Sequence, residues 1–324
     1  NELNFSPVRD AALGSSVRIQ GLGGEHVKIL VDGVPLVGRQ NGILDLSQIN
    51  VASIAHIEIV EGPMSVVYGS NAMAGVINII TKENSRKSIS AGFESYYETV
   101  GLFDQDANFS INTGKSTYGL SLGRYFFGGY SEADTSRADE WNPKLQYNLE
   151  AYYVLRLNDW KAKLSTSYFN EELRDNGYVN PDLNNEGAFD YYHFTKRNDS
   201  KLEINKKFEN NQGINITGAY STYEKSKIAY INDLVNLEKY IIPDSTANDT
   251  TNFVNFFSRG TYSNENLGNI SFQTGYEINL ESAESRRIDD IENVGDIAAF
   301  LSVNATPVKN FSVQPGIRYI YNLK

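Results

Sequence analysis

The residues of this chain that could do chemistry are few and scattered. There is no cysteine, and the three histidines are His26, His56 and His193, no two of them at a metal-ligand spacing. Disulfide scaffolds, thiolate zinc sites and cysteine nucleophiles are therefore excluded. No nucleophile–base pair and no phosphate loop stands out, so an enzyme is not expected. Carboxylates cluster in "SEADTSRADE" (131–140) and "ESRRIDDIEN" (284–293). Both could hold Ca²⁺, but neither follows the twelve-residue Ca²⁺ loop, and both read better as solvated loops. The remaining candidates are aromatic. Tyr130, Trp141, Tyr178 and Tyr192, with His193 beside them, flank polar segments and could stack on a chelate or macrocycle. The competing reading is an interfacial girdle of rings. A haem would find only His26 or His193 as an axial ligand.

The elements that would position these groups fall into two parts. Residues 1–84 hold short apolar runs between glycines. "SSVRIQGL" and "HVKILVDGVPL" predict two strands, with Asp32-Gly33 as a turn. "NVASIA" predicts a helical turn capped by Asn50, and "PMSVVYG" a short helix between Pro63 and Gly69. This part is a small α/β unit.

Residues 85–324 alternate with period two. In "LQYNLEAYYVLRL" Leu145, Tyr147, Leu149, Ala151, Tyr153, Leu155 and Leu157 share one face. Eleven such strands are expected, near 88–98, 106–113, 117–127, 144–157, 160–171, 190–206, 213–228, 249–263, 269–281, 296–306 and 310–322. Short turns between them alternate with longer polar loops at 128–143, 172–189, 229–248 and 282–295. That asymmetry, with ring-bearing strand ends, is the plan of an all-β membrane β-barrel. No apolar run reaches eighteen residues, so a spanning helix is not expected. Asp and Glu outnumber Lys and Arg by 40 to 29, giving net charge −11, which argues against a nucleic-acid partner. Eleven is an odd count, and an open sheet edge in hydrocarbon leaves backbone groups unpaired. The chain therefore reads as a piece of a longer protein, truncated at both ends.

The segment Ser15–Lys82 carries a resemblance. The "DG-x-P" of Asp32–Pro35, the strand Ile54–Val60, the "GP-x-S-x-x-YG" of Gly62–Gly69 and the closing run Ala74–Lys82 resemble the plug domain of TonB-dependent outer-membrane receptors. The Asn- and Tyr-rich loops are similar to those of Bacteroidetes members. The resemblance implies the C-terminal part of a plug over residues 1–84 and the N-terminal half of a 22-stranded barrel over 85–324. It implies a bacterial outer-membrane location with outer-membrane lipid around the wall. It also implies import of a scarce solute such as an iron–siderophore chelate, haem or cobalamin, with no resident cofactor. Its partners would be the TonB–ExbB–ExbD complex, engaged through an N-terminal box absent from this chain, and a surface lipoprotein. A sensor or adhesin with the same shell is the alternative, and a passive porin is disfavoured by the plug. The carbohydrate-importing branch usually carries "KDA" where this chain has "EGP", and ranks lower.

Carried over residue by residue, the ligand face of the resemblance falls on Gln20, on the loop Val37–Asn41 with Arg39 and Gln40, and on Tyr68. Tyr68 alternatively packs plug against wall. Many members have Arg where this chain has Gln20 and Glu61. A Glu61 that meets the wall would need a cation there, such as Arg124 or Arg156.

Overall fold

The computed structural model describes residues 5–10, 14–19, 22, 26–40, 43–61, 65–69, 72, 74–83, 88–132, 137–184, 186–209, 211–243, 246–286, 291–308 and 311–323. Among these residues two bodies are built, one inside the curve of the other.

The inner body starts with a hairpin of β1 (Phe5–Asp10) and β2 (Gly14–Ile19). A four-stranded sheet follows, from β3 (Val27–Val31), β4 (Val34–Pro35), β5 (Ile54–Glu61) and β6 (Gly75–Thr81), in the order β4-β3-β6-β5. β3 and β6 run parallel, so a crossover must join them. It contains two 3-10 turns, β5 and the short helix α1 (Ser65–Tyr68). Asn50 caps the second 3-10 turn, its side chain accepting from the Ala52 N–H at 2.7 Å, as its type predicts. Both sheet faces are covered. Ile19, Val27, Ile29, Leu44, Ile77 and Ile79 pack on one side, and Leu30, Ala72 and Val76 against Tyr68 on the other.

The outer body is a single antiparallel sheet, thirteen-stranded among the described residues. In chain order its long strands are β7 (Ile89–Glu98), β8 (Leu102–Asn112), β9 (Ser116–Phe127), β10 (Lys144–Leu157), β11 (Trp160–Asn180), β12 (Gly187–Lys207) and β13 (Gln212–Asp233). They continue with β15 (Asp249–Leu267), β16 (Ile270–Ser285) and β17 (Glu292–Val308). Short β14 (Glu238–Ile241) pairs with β13, while β18 (Phe311–Val313) and β19 (Gly316–Leu323) both pair with β17. All eleven expected strands are present, β18 and β19 together forming the last.

The pleat separates two chemistries. On the face away from the inner body stand Leu120, Leu149, Leu164, Leu202, Phe256 and Leu280, all exposed. Their inward neighbours are polar and mostly buried: Gln146, Lys163, Thr195, Lys201, Asn255 and Glu277. A soluble sandwich would hide the first set and solvate the second. Lipid outside and a polar lumen inside reverse that order, and here the order is reversed. No helix among the described residues is long and apolar enough to cross a membrane.

The long loops differ from expectation. Residues 172–180 and 187–189 continue β11 and β12, so the segment expected as a loop at 172–189 is largely strand, while 229–248 begins with the end of β13 and contains β14. The loop expected at 282–295 shrinks likewise, since β16 runs to Ser285 and β17 begins at Glu292. Beyond the lipid an outward face has no need of apolar residues. The alternation fades there while the backbone ladder continues.

Candidate functional site

The inner body meets the wall through separate polar contacts. The first starts at the β3–β4 turn. Asp32 and Gly33 have φ of +47° and +81°, the two-residue turn that an Asp-Gly pair favours. This presents the Asp32 carboxylate beyond the sheet edge. Its Oδ1 accepts the Thr81 N–H at 2.8 Å, and its Oδ2 accepts the Thr81 hydroxyl at 2.7 Å. From the wall, Lys201 donates to Oδ2 at 2.7 Å and Lys163 approaches it at 3.4 Å. Lys201 also pairs with Glu203 at 2.8 Å. Two carboxylates thus face two ammonium groups. Burial works to raise the Asp32 carboxyl, but Lys201, Lys163 and the Thr81 N–H together hold it well below the usual carboxylate range.

The second contact has a different balance. Glu277 on β16 receives Arg318 at 3.0 Å, with Lys28 at 3.6 Å and Arg259 at 3.8 Å. Three cations share one carboxylate among the described residues. Their other partners are backbone carbonyls at the end of α1. Lys28 donates to the Tyr68 carbonyl at 2.7 Å, while Arg259 and Arg318 donate to that of Val67 at 3.1 and 3.3 Å. The guanidinium of Arg259 also lies 4.8 Å from the centre of the Tyr68 ring. Burial pulls the Lys28 ammonium below its ordinary range, and Glu277 only partly restores it.

Smaller contacts complete the seam. Glu83 pairs with both Arg156 and Lys161. Asn50 donates to Asp106 at 2.8 Å, and Gln146 bridges the Ser47 carbonyl to Glu171. Arg197 donates to the Val37 carbonyl at 3.1 Å while its guanidinium covers the Tyr223 ring. Gly38 touches the same ring so closely that a Cβ would fall 2.6 Å from it. Apolar contact across the seam includes the cluster of Val34 with Ala219 and Phe257. Beside it lies a cavity of about 710 Å³, lined by Asp32, Asn50 and Ser53 of the inner body and by Asn148, Glu150, Lys163 and Ser221 of the wall. Polar groups line part of it and apolar side chains such as Leu36, Ile79 and Phe169 the larger part, and it is roomy enough for water.

The structure divides the residues picked from sequence. Arg39 and Gln40 follow Gly38 on the inner body, Arg39 donating to the Val27 carbonyl at 3.1 Å. His193 is buried on the lumen face of β12, opposite Lys227 and Leu173 in the ladder. These three are compatible with one lumen-facing surface. Tyr192 lies on the opposite pleat from Arg197 and Lys201, so it faces outward. There it meets Tyr230 at 5.1 Å, and its hydroxyl accepts from Lys239 at 2.6 Å. Tyr130 and Trp141 bridge each other through their backbones at the base of the β9–β10 connection. Farther along that connection Arg137 forms a two-pronged pair, both bonds 2.6 Å, with fully buried Asp190 on the same outward pleat as Tyr192. Tyr178 is exposed on β11. Tyr68 sits in the seam, packed on Leu30 and under Arg259. Gln20, Asn41, the segment 62–64 and the Glu61 side chain lie outside the described residues. Of the cations suggested for Glu61, Arg156 is engaged by Glu83, and Arg124 faces outward.

The seam itself was not singled out in the sequence. Each member is one polar residue on a polar strand face, and its partner is up to 251 positions away. The legible signal was the set of buried-type charges recurring on the face opposite the leucines.

A plug filling a polar lumen is the arrangement that comparison with known proteins identifies. The sequence pattern of the TonB-dependent receptor plug domain matches residues 4–76. The chain carries a TonB-dependent receptor plug. Plug and wall together have the fold of solved TonB-dependent receptors. The siderophore receptor PirA from Acinetobacter baumannii is 15% identical with a TM-score of 0.76, over 99% of this chain and 53% of that one. A mutant ferric enterobactin receptor PfeA from Pseudomonas aeruginosa, in complex with enterobactin, is 13% identical with a TM-score of 0.74, over 99% and 54%. The copper transporter OprC is 13% identical with a TM-score of 0.74, over 98% and 49%. The chain spans about half the length of each. The wall and the plug share the fold of bacterial outer-membrane receptors.

Proposed function

We propose that this chain is part of an outer-membrane receptor that imports a scarce solute, an iron chelate being the first candidate, by energised displacement of its plug. The carrying observation is the seam. The plug blocks the lumen, yet polar clusters form much of its attachment. Such contacts can be exchanged for water when the plug moves, whereas a continuous apolar interface would have to be exposed at about 25 cal/mol per Å². The solved structures of similar fold include receptors for siderophores and a copper transporter, which supports a metal or metal-chelate cargo. In this reading Arg39, Gln40 and His193 contribute to the ligand face, with Tyr130 and Trp141 at its rim. Tyr68 serves the seam, and Tyr192 the outer surface. Energy would come from the TonB–ExbB–ExbD complex.

The test is uptake by cells expressing the full-length gene, using labelled iron chelates, haem, cobalamin and copper, with and without a protonophore. Uptake of one solute that collapses with the protonophore is expected. Binding without energised uptake would replace import by sensing or adhesion, and silence across the panel would remove metal chelates as the cargo.

A further inference from the structure

The outward face of the wall carries a cation that the transport reading does not use. Gly123 faces the plug, where a Cβ would meet the Asn50 side chain at 2.7 Å. Arg124, next along β9, therefore points to the membrane side. It lies between two kinds of surface. Toward the long-connection end stand Tyr97, Phe103 and Phe126, with ring centres 4.7 and 6.3 Å apart in sequence across β7, β8 and β9. This is a girdle of interfacial aromatics. Toward the other end begins the aliphatic belt, with Leu122 and Leu149 paired across β9 and β10. A guanidinium at that boundary sits where headgroup meets acyl chain. Its ladder neighbours are Gln105 and Tyr147, both neutral, and Arg124 makes no ion pair among the described residues.

A second cation allows a comparison. Lys196 lies on the same outward row of the ladder, three strands along, and is met by Glu224 at 3.6 Å. The wall thus neutralises one cation with its own carboxylate and leaves the other to its surroundings. Beneath Arg124 is a groove of about 400 Å³, floored by Ala107 and walled by Phe93, Leu122, Leu149 and Tyr168. Its lining is almost wholly apolar. The Arg124 guanidinium stands 5.5 Å from the Phe126 ring centre, which places its charge at the girdle end of the groove, beyond Leu122 and Leu149.

We propose that this groove is a binding site for a phosphate-bearing lipid of the leaflet at the long-connection end, its phosphate on Arg124 and one acyl chain along Leu122 and Leu149. An anionic headgroup supplies the charge that the protein withholds, and the chain fills the recess that Ala107 leaves. The site rests on the outer-membrane location and is independent of the cargo.

The experiment is native mass spectrometry of the full-length receptor, delipidated and returned to phosphatidylcholine nanodiscs doped with phosphorylated lipid A or with its dephosphorylated form. The folded barrel is checked by its heat-dependent shift in gel mobility. Wild type should retain the phosphorylated lipid in preference to the dephosphorylated one. Arg124→Gln should lower that retention about tenfold, Arg124→Lys should keep most of it, and Lys196→Gln should keep all of it. Leu122→Trp, which fills the groove and leaves the charge, should also lose the lipid. Equal retention by Arg124→Gln and wild type would overturn the site. So would equal loss from Lys196→Gln, because the lipid would then be following surface charge alone.

Discussion

The two main contacts between plug and wall do one job with opposite charge economies. Around Asp32, two lysines face two carboxylates, and the hydrogen bonds of Thr81 add to them. Around Glu277, three cations face a single carboxylate and lean on carbonyls and rings for the rest. A balanced cluster loses one partner and keeps others. A cation-rich one has a single side chain on which the ion pair of every member depends. The difference teaches that contacts of similar size can differ in fragility, and that the Glu277 contact is the fragile one.

The strongest way to break the comparison is Glu277→Gln. It leaves Lys28, Arg259 and Arg318 buried with only neutral acceptors, at a cost of about 3–5 kcal/mol. The expected outcome is a plug cut by protease in an intact barrel and a rise in leak of large antibiotics through cells. A variant as tight as wild type would mean that the carbonyls alone hold this contact.

Asp32→Asn should do less, about 2–3 kcal/mol, because Lys201 keeps Glu203 and the amide oxygen can still accept from Thr81. The same residue gives a pH signature. Its carboxyl titrates lower in the folded protein than in an unfolded chain. The stabilisation is therefore fully present above the unfolded value of about 3.9 and is lost as pH falls through the depressed folded value. Plug protection should be flat from pH 7 to about pH 5 as far as Asp32 is concerned and should fail in stronger acid; in Asp32→Asn that acid-dependent part should vanish.

The smallest effect sharpens the picture at the apex. Gly38 has φ of +93° and abuts Tyr223. Gly38→Ala should cost about 1–2 kcal/mol, seen as a lower urea midpoint for plug release. Adding Tyr223→Ala should recover the part due to the clash and leave the backbone strain. Full recovery would show that the backbone conformation is not costly.

Much of the fold was legible because a lipid-facing strand must keep its outward residues apolar, so period two is written plainly from Leu145 to Leu157. The same rule ends at the lipid surface, which is why β11 runs to Asn180 while the alternation suggested a stop near 171. The Asp-Gly turn and the Asn50 cap were legible because they are settled within a few residues. The site was less so. Tyr192 and His193 are equal candidates by type, yet adjacent residues on a strand face opposite ways. Which faces the lumen follows only from an anchor such as Arg197 on Val37. The seam depends on pairings such as Asp32 with Lys201, separated by 169 positions, and no local pattern encodes them.

The pairing of Glu83 with Arg156 and Lys161 has a mechanical consequence. Glu83 lies two residues beyond the last plug strand and six before the first wall strand, and it is gripped at the short-turn rim. In the proposed transport cycle a plug freed at Asp32 and Glu277 would still hang from this point, and would swing about a pivot before being drawn away. Reseating is then an intramolecular event, at an effective concentration in the millimolar range set by a short leash. In the proposed transport cycle the pore would then be closed again by the segment that opened it, without any search through solution.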